Sequence, residues 1–259
     1  MACVASRRAP AIEDVVTDGG KAVAVRGLER RFGTLRVLRG LDLEVAAGDT
    51  VAIFGSNGAG KTTFLRILAG LLSPDRGEVS LFGTPLPGPA SLRRRIGVVA
   101  HDSYLYGDLT AAENLDYYGR LYGVADGDRS LSLLERVSLA DAADRPVRTF
   151  SRGMLQRLAL ARAMLHEPDL VLFDEPFSGL DPTGATLLFE TLDELKRAGC
   201  TILLTTHDFA RGLGCADRAV MLHGGRVAWQ SRDGVPTAAE MAEIFSAVVQ
   251  GRPVPERGN

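Results

Sequence analysis

The chain has 259 residues, 46% of them hydrophobic and 24% charged, with a net charge of −2; this is the composition of a soluble globular protein large enough for one large or two small domains. No run of about eighteen apolar residues occurs, which argues against a membrane-spanning helix, and the near-neutral charge gives no electrostatic footprint for nucleic acid. Cys3, Cys200 and Cys215 are odd in number and lack a CxxC spacing, so reduced thiols and a cytosolic setting are expected over a disulfide scaffold or a zinc site.

Residues 1–20, MACVASRRAPAIEDVVTDGG, contain two arginines but no apolar core of signal-peptide length, and are expected to form a flexible leader. From Lys21 onward, short apolar runs alternate with longer helical patterns. KAVAV (21–25) and TVAIF (50–54) read as strands, and the second runs into GSNGAGKTT, Gly55 to Thr63, followed by helical spacing over 61–71. In this pattern the loop Gly55, Ser56, Asn57, Gly58, Ala59, Gly60 turns backbone N–H groups around phosphate oxygens. Lys61 supplies a full charge and the Thr62 hydroxyl can ligate Mg²⁺, with Thr63 beginning the helix. The alternative is a glycine-rich turn that binds nothing, and the match of spacing and both flanks argues against it.

RIGVVA (95–100) reads as a strand that ends at His101, and Thr110 with Glu113 has the spacing of a capping box ahead of a helix over 111–122. Further helical patterns cover 130–137 and 152–166. The second of these follows Ser151, an expected N-cap, and carries Gly153 where a close approach is needed, which makes it a second anion-binding helix end. DLVLF (169–173) is then followed by Asp174 and Glu175 at the carboxyl end of a buried strand, where ligands of open α/β sheets collect. Strand alternation predicts that the two acids face opposite ways, Asp174 toward a metal and Glu175 toward an attacking water as general base. A helix over 184–198, strands CTILLTT (200–206) and RAVML (218–222), and a capping-box spacing at Thr237 and Glu240 complete the series. Met241, Ile244, Phe245 and Val248 mark one face of a final helix. The expected fold is an α/β sheet core with crossover helices.

GSNGAGKT, FSRGMLQR, LVLFDEP, SGLD and TTHD, in that order, resemble the nucleotide-binding subunit of an ABC transporter over roughly residues 21–230. The resemblance implies a P-loop NTPase fold of the ABC ATPase type: a mixed sheet core, a small antiparallel β subdomain and an α-helical signature subdomain. It implies an ATPase domain over 21–235, with the helical subdomain at about 102–165 and a C-terminal helix and tail over 236–259. Two copies, or one copy and a homologous subunit, would sandwich ATP and Mg²⁺ head to tail. Phe32 would then stack on adenine, and Ser151 and Gly153 would cap the γ-phosphate of the partner's nucleotide. Asp181 would report across the interface, and His207 would bond the γ-phosphate and position Glu175.

The position of His101 carries a glutamine in the family, touching Mg²⁺ and the attacking water; a histidine can still bind metal or orient water there, and can gain charge near pH 6.5. Arg152 and Met154 likewise replace a glycine and a glutamine of the family signature. With the run SYLYGDLTAAENLDYYGRLYGV, these departures are similar to the ATP-binding subunit of the heme exporter of cytochrome c maturation, although drug and lipid exporter subunits share LTAAENL and LYGV. Tyr104, Tyr106, Tyr117, Tyr118 and Tyr122 are equally compatible with core packing. The implied partner is an integral membrane permease that holds the chain at the inner face of the cell membrane, with no nucleic acid partner. A small-molecule kinase would lack the second helix end. Soluble ABC-type ATPases usually carry tandem cassettes or a long coiled-coil insertion, and neither is present.

Overall fold

The computed structural model describes residues 20–100, 102–124, 126–180, 182–232 and 234–254. Nearly all of the proposed leader, Cys3, His101 and Asp181 lie outside the described residues. Strands β1 (Lys21–Phe32) and β2 (Leu35–Ala46) form a hairpin, and β3 (Thr50–Phe54) leads to helix α1 (Lys61–Leu68). Then come β4 (Arg76–Leu81), β5 (Thr84–Pro85), α2 (Ala90–Arg93) and β6 (Ile96–Val99). Three helices follow, α3 (Ala111–Tyr122), α4 (Gly127–Arg136) and α5 (Arg152–Met164). The chain continues with β7 (Leu170–Asp174), α6 (Pro182–Arg197), β8 (Thr201–Thr205), α7 (Phe209–Cys215), β9 (Arg218–His223), β10 (Arg226–Gln230) and α8 (Ala238–Val249).

The central sheet has the order β10-β9-β3-β8-β7-β6, parallel throughout except for the β9–β10 hairpin. Its inner strands β3 and β8 are buried at every position, as strands covered on both faces must be. A second, antiparallel sheet runs β2-β1-β4-β5. One apolar cluster joins that sheet to α1 and to one face of the central strands through Leu38, Leu41, Ile53, Phe64 and Leu68; the other packs helices on the opposite face through Phe54, Leu115, Leu134, Leu158 and Phe173. Each such fully buried side chain contributes about 1.5 to 3 kcal/mol relative to exposure.

Strands β2, β4, β5 and β10 have no counterpart among the apolar runs, and β1 continues past residue 25 to Phe32. The reason is alternation: in β2 Leu41, Leu43 and Val45 are buried while Asp42 and Glu44 face water, so one face of each pleat is charged. Helix α4 starts three residues before the expected position 130, because the Asp126 side chain accepts from the Asp128 N–H and caps it there. Helix α3 has the expected bounds, α1 and α5 start as expected and end short of 71 and 166, α6 lies slightly N-terminal of 184–198, and the short helices α2 and α7 have no counterpart among the helical patterns.

The capping box of α3 is formed in both directions, Thr110 N to Glu113 Oε2 at 2.7 Å and Glu113 N to Thr110 Oγ1 at 3.1 Å. It starts the helix that carries most of the tyrosines. Tyr118 is buried and donates to the Tyr104 carbonyl, and Tyr122 stacks on His166 at 4.0 Å, whereas Tyr104, Tyr106 and Tyr117 are exposed. Only part of that tyrosine set is core. In α8, Met241 and Ile244 are buried and Phe245 meets Phe209 at 5.8 Å, so this stripe packs on its own chain.

Candidate functional site

Strands β3, β7 and β8 end side by side, and their carboxyl ends deliver the polar groups of one site. The loop after β3 is pressed onto β2: a Cβ added at Gly60, where φ is +102°, would lie 2.7 Å from Leu38 Cδ2 and 3.2 Å from the Val37 carbonyl. Only glycine fits that contact and that backbone. Within the loop Ala59 is buried and its N–H donates to the Ser56 carbonyl, while Asn57 and Gly58 are exposed. Gly55 closes β3, and Thr62 and Thr63 lie in the first turn of α1.

Lys61 is 7% exposed, and its Nζ donates to the Gly55 carbonyl at 2.8 Å and lies 3.6 Å from Glu175 Oε1. A nearly buried ammonium offered only carbonyls and one carboxylate is a strong attractor for an incoming anion. The Thr62 hydroxyl donates to Asp174 Oδ1 at 3.1 Å, and the same oxygen accepts from Thr205 Oγ1 at 2.7 Å. Hydroxyl and carboxylate oxygens brought this close suit Mg²⁺, which takes one or two protein oxygens and completes its shell with water and phosphate. No cluster of three or more His, Cys, Asp or Glu exists among the described residues to hold a metal by protein alone.

Glu175 departs from the expected strand alternation. β7 ends at Asp174, and Glu175 takes φ +51°, a left-handed backbone that costs a non-glycine residue about 1 to 3 kcal/mol. The two acids therefore diverge because the chain turns sharply between them. The turn is held by Glu175 N–H, which donates to Thr205 Oγ1 at 3.2 Å and the Thr205 carbonyl at 3.1 Å. Thr205, fully buried, thus serves both acids; no motif assigns it that role, and its only mark in the sequence is a hydroxyl at the end of the apolar run TILLT.

His207 follows β8 and is 69% exposed, with Nδ1 2.9 Å from Glu175 Oε2. Its backbone is fixed from both sides: Thr206 N–H donates to the Ile53 carbonyl at 3.1 Å, and Asp208 caps α7 by accepting from Arg211 N–H at 3.0 Å. Lys61, Thr62, Asp174, Glu175 and His207 are thereby brought together. Phe32 stands apart at the end of β1, 47% exposed, with the Arg30 guanidinium 4.9 Å from its ring centre.

Ser151 and Gly153 belong to a different element, the start of α5. Ser151 caps α5, its hydroxyl accepting from Met154 N–H at 3.3 Å. An added Cβ at Gly153 would meet nothing within 4 Å, so this helix end presents an open face.

Residues 38–178 match the family model described as "ABC transporter". The chain is 40% identical over 217 residues to the "ABC transporter ATP-binding protein NatA" of Bacillus subtilis, covering 80% of this chain and 88% of the relative. It is 41% identical over 229 residues to the "Nod factor export ATP-binding protein I" of Burkholderia lata, covering 87% and 74%. Among solved structures it resembles the ATP-binding cassette MJ0796, a dimer in a post-hydrolysis state bound to ADP and Pi, with a TM-score of 0.75, 27% identity and coverage of 81% and 98%.

Proposed function

The chain belongs to the ABC transporter family as an ATP-binding, ATP-hydrolysing subunit, and from that premise we propose that it energises an export permease with the residues gathered at the ends of β3, β7 and β8. The observation that carries this reading is the carboxylate of Glu175 held between Lys61 Nζ at 3.6 Å and His207 Nδ1 at 2.9 Å.

In that reading the loop Gly55–Lys61 binds the phosphates of ATP and Phe32 stacks on the adenine. Thr62 and Asp174 hold Mg²⁺, which supplies charge neutralisation on the phosphates when bound. Lys61 moves onto the incoming phosphate because a multiply charged anion outcompetes one carboxylate. That leaves Glu175 Oε1 free to accept a proton from water, while His207 keeps the other oxygen in place. Ser151 and Gly153, whose helix end opens outward, cap the γ-phosphate bound by a second copy or a homologous subunit. ABC ATPases work as dimers, and the open face at Gly153 fits that use. His101 and Asp181 keep the roles that the family resemblance implies.

Export is the favoured direction, supported by the Nod factor export relative, and a drug-like or lipid-like cargo fits the pieces LTAAENL and LYGV. Heme export draws support from His101, the run SYLYGDLTAAENLDYYGRLYGV and the departures at Arg152 and Met154, and from none of the relatives above. No described helix is long and apolar enough to cross a membrane. In the proposed reading the chain sits at the inner face of the membrane through its permease. The test is Glu175→Gln: ATP stays bound while hydrolysis falls by about 10²- to 10⁴-fold, the range for losing a general base. Turnover at the parental rate removes Glu175 as the base. Co-purification with an integral membrane protein tests the partner.

A further inference from the structure

Arg152 opens α5 directly after Ser151, but its side chain turns back toward the loop that follows Glu175. Nη2 donates to Ser178 Oγ at 3.2 Å. The Arg152 side chain packs against Gly179, where an added Cβ would come within 2.9 Å of Cζ and Nε. One turn further along, Gln156 Nε2 donates to the Pro176 carbonyl. Positions four apart share a helix face, so this face of α5 grips residues 176–179 at two points.

Ser178 links that grip to the base. Its N–H donates to the Glu175 carbonyl at 3.1 Å, closing a tight turn whose first residue is Glu175 itself, at φ +51°. A backbone in that region persists only where its surroundings hold it. Arg152, Gln156, Ser178 and Glu175 also line one open cleft of about 560 Å³.

We propose that Arg152 is a positioning residue for hydrolysis: by holding Ser178 it fixes the turn that aims the Glu175 carboxylate, and so ties the helix end bearing Ser151 to the base of its own chain. This rests on the ATPase reading given above. Holding an exposed guanidinium costs side-chain entropy, and the hydrogen bond to Ser178 together with the packing on Gly179 offsets part of that cost.

The test compares the full chain with Arg152→Ala, Arg152→Lys, Ser178→Ala and the Arg152→Ala/Ser178→Ala double variant. Arg152→Ala is expected to speed amide hydrogen exchange over 175–180 in the nucleotide-free chain. It is also expected to lower kcat for Mg·ATP by about three- to tenfold with KM unchanged, the scale of one charge-assisted hydrogen bond discounted for exposure. Lysine restores part of both. The double variant is no worse than the poorer single one, because both remove the same link. Unchanged exchange overturns the proposal, as does a rise in KM at constant kcat, or losses that multiply in the double variant. A parental chain that neither binds nor hydrolyses Mg·ATP overturns the ATPase reading instead, and the exchange data then judge the link alone.

Discussion

His207 Nδ1 meets Glu175 Oε2 at 2.9 Å, across two strand ends that are neighbours in the sheet. The contact is exposed on the histidine side and partly buried on the carboxylate side. As an ion pair it therefore adds little stability, and in the proposed mechanism it orients the carboxylate. His207→Ala is expected to lower kcat by about tenfold or more with ATP affinity nearly unchanged. Single-turnover hydrolysis alongside equilibrium binding checks this; equal losses in both would mean that His207 acts on nucleotide binding.

The proposed use of Ser151 on a partner's nucleotide predicts complementation. Lys61→Ala loses most nucleotide affinity and Ser151→Arg blocks the helix end, so each homodimer has two damaged sites. A mixed dimer pairs one intact loop with one intact helix end. Mixing the two inactive chains should restore activity, up to about a quarter of the parental value if mixing is random and the sites act independently. A chain completing its site alone would give no gain on mixing, and Ser151→Arg by itself would remain active.

The parallel strands of the central sheet could be read from sequence, and they include the three that form the site. β3, β7 and β8 are apolar at nearly every position, so their runs ended visibly at Gly55, Asp174 and Thr206. The antiparallel sheet was illegible because Arg31, Arg36, Arg39 and Glu44 sit among its apolar residues. Half-covered strands carry that mixture by necessity. The phosphate loop and the two acids were legible as motifs, but the turn at Glu175 was not. Its left-handed backbone comes from Thr205, thirty residues further on, and no local pattern encodes a contact of that span.

His166 predicts a loss of stability in mild acid. Its Nε2 donates to the Ile96 carbonyl at 3.0 Å, its ring stacks on Tyr122, and its buried Nδ1 has no hydrogen-bond partner among the described residues. Burial, followed by the nearby Arg162 and Arg129, holds its pKa below the usual histidine value, and Arg93 adds a further cation to the cleft that His166 lines. A proton added at Nδ1 would find no acceptor. The unfolded chain thus binds a proton near pH 6.5 that the folded chain refuses. Stability from this residue is full above that pH and declines as pH falls toward the lowered folded value. The urea midpoint should drop between pH 7.5 and 5.5, and should drop less in His166→Gln, whose amide can still donate to Ile96. Parallel midpoints in the two proteins would remove His166 as the cause.

Thiol chemistry should report on the packing of α7 and β8. Burial pushes the Cys215 thiol up to about 12, and Cys200 is 1% exposed with Sγ donating to the Pro168 carbonyl at 3.3 Å. Alkylation needs the thiolate, so at pH 7.5 Cys215 should react about a thousandfold more slowly than an unperturbed thiol. Both cysteines should stay unlabelled by iodoacetamide in the folded chain and label fully in urea, as read by peptide mass mapping. Rapid native labelling of Cys215 would mean that α7 opens readily. Since α7 begins at the cap beside His207, that opening would also displace the histidine, and ATP should then slow the labelling by holding it closed.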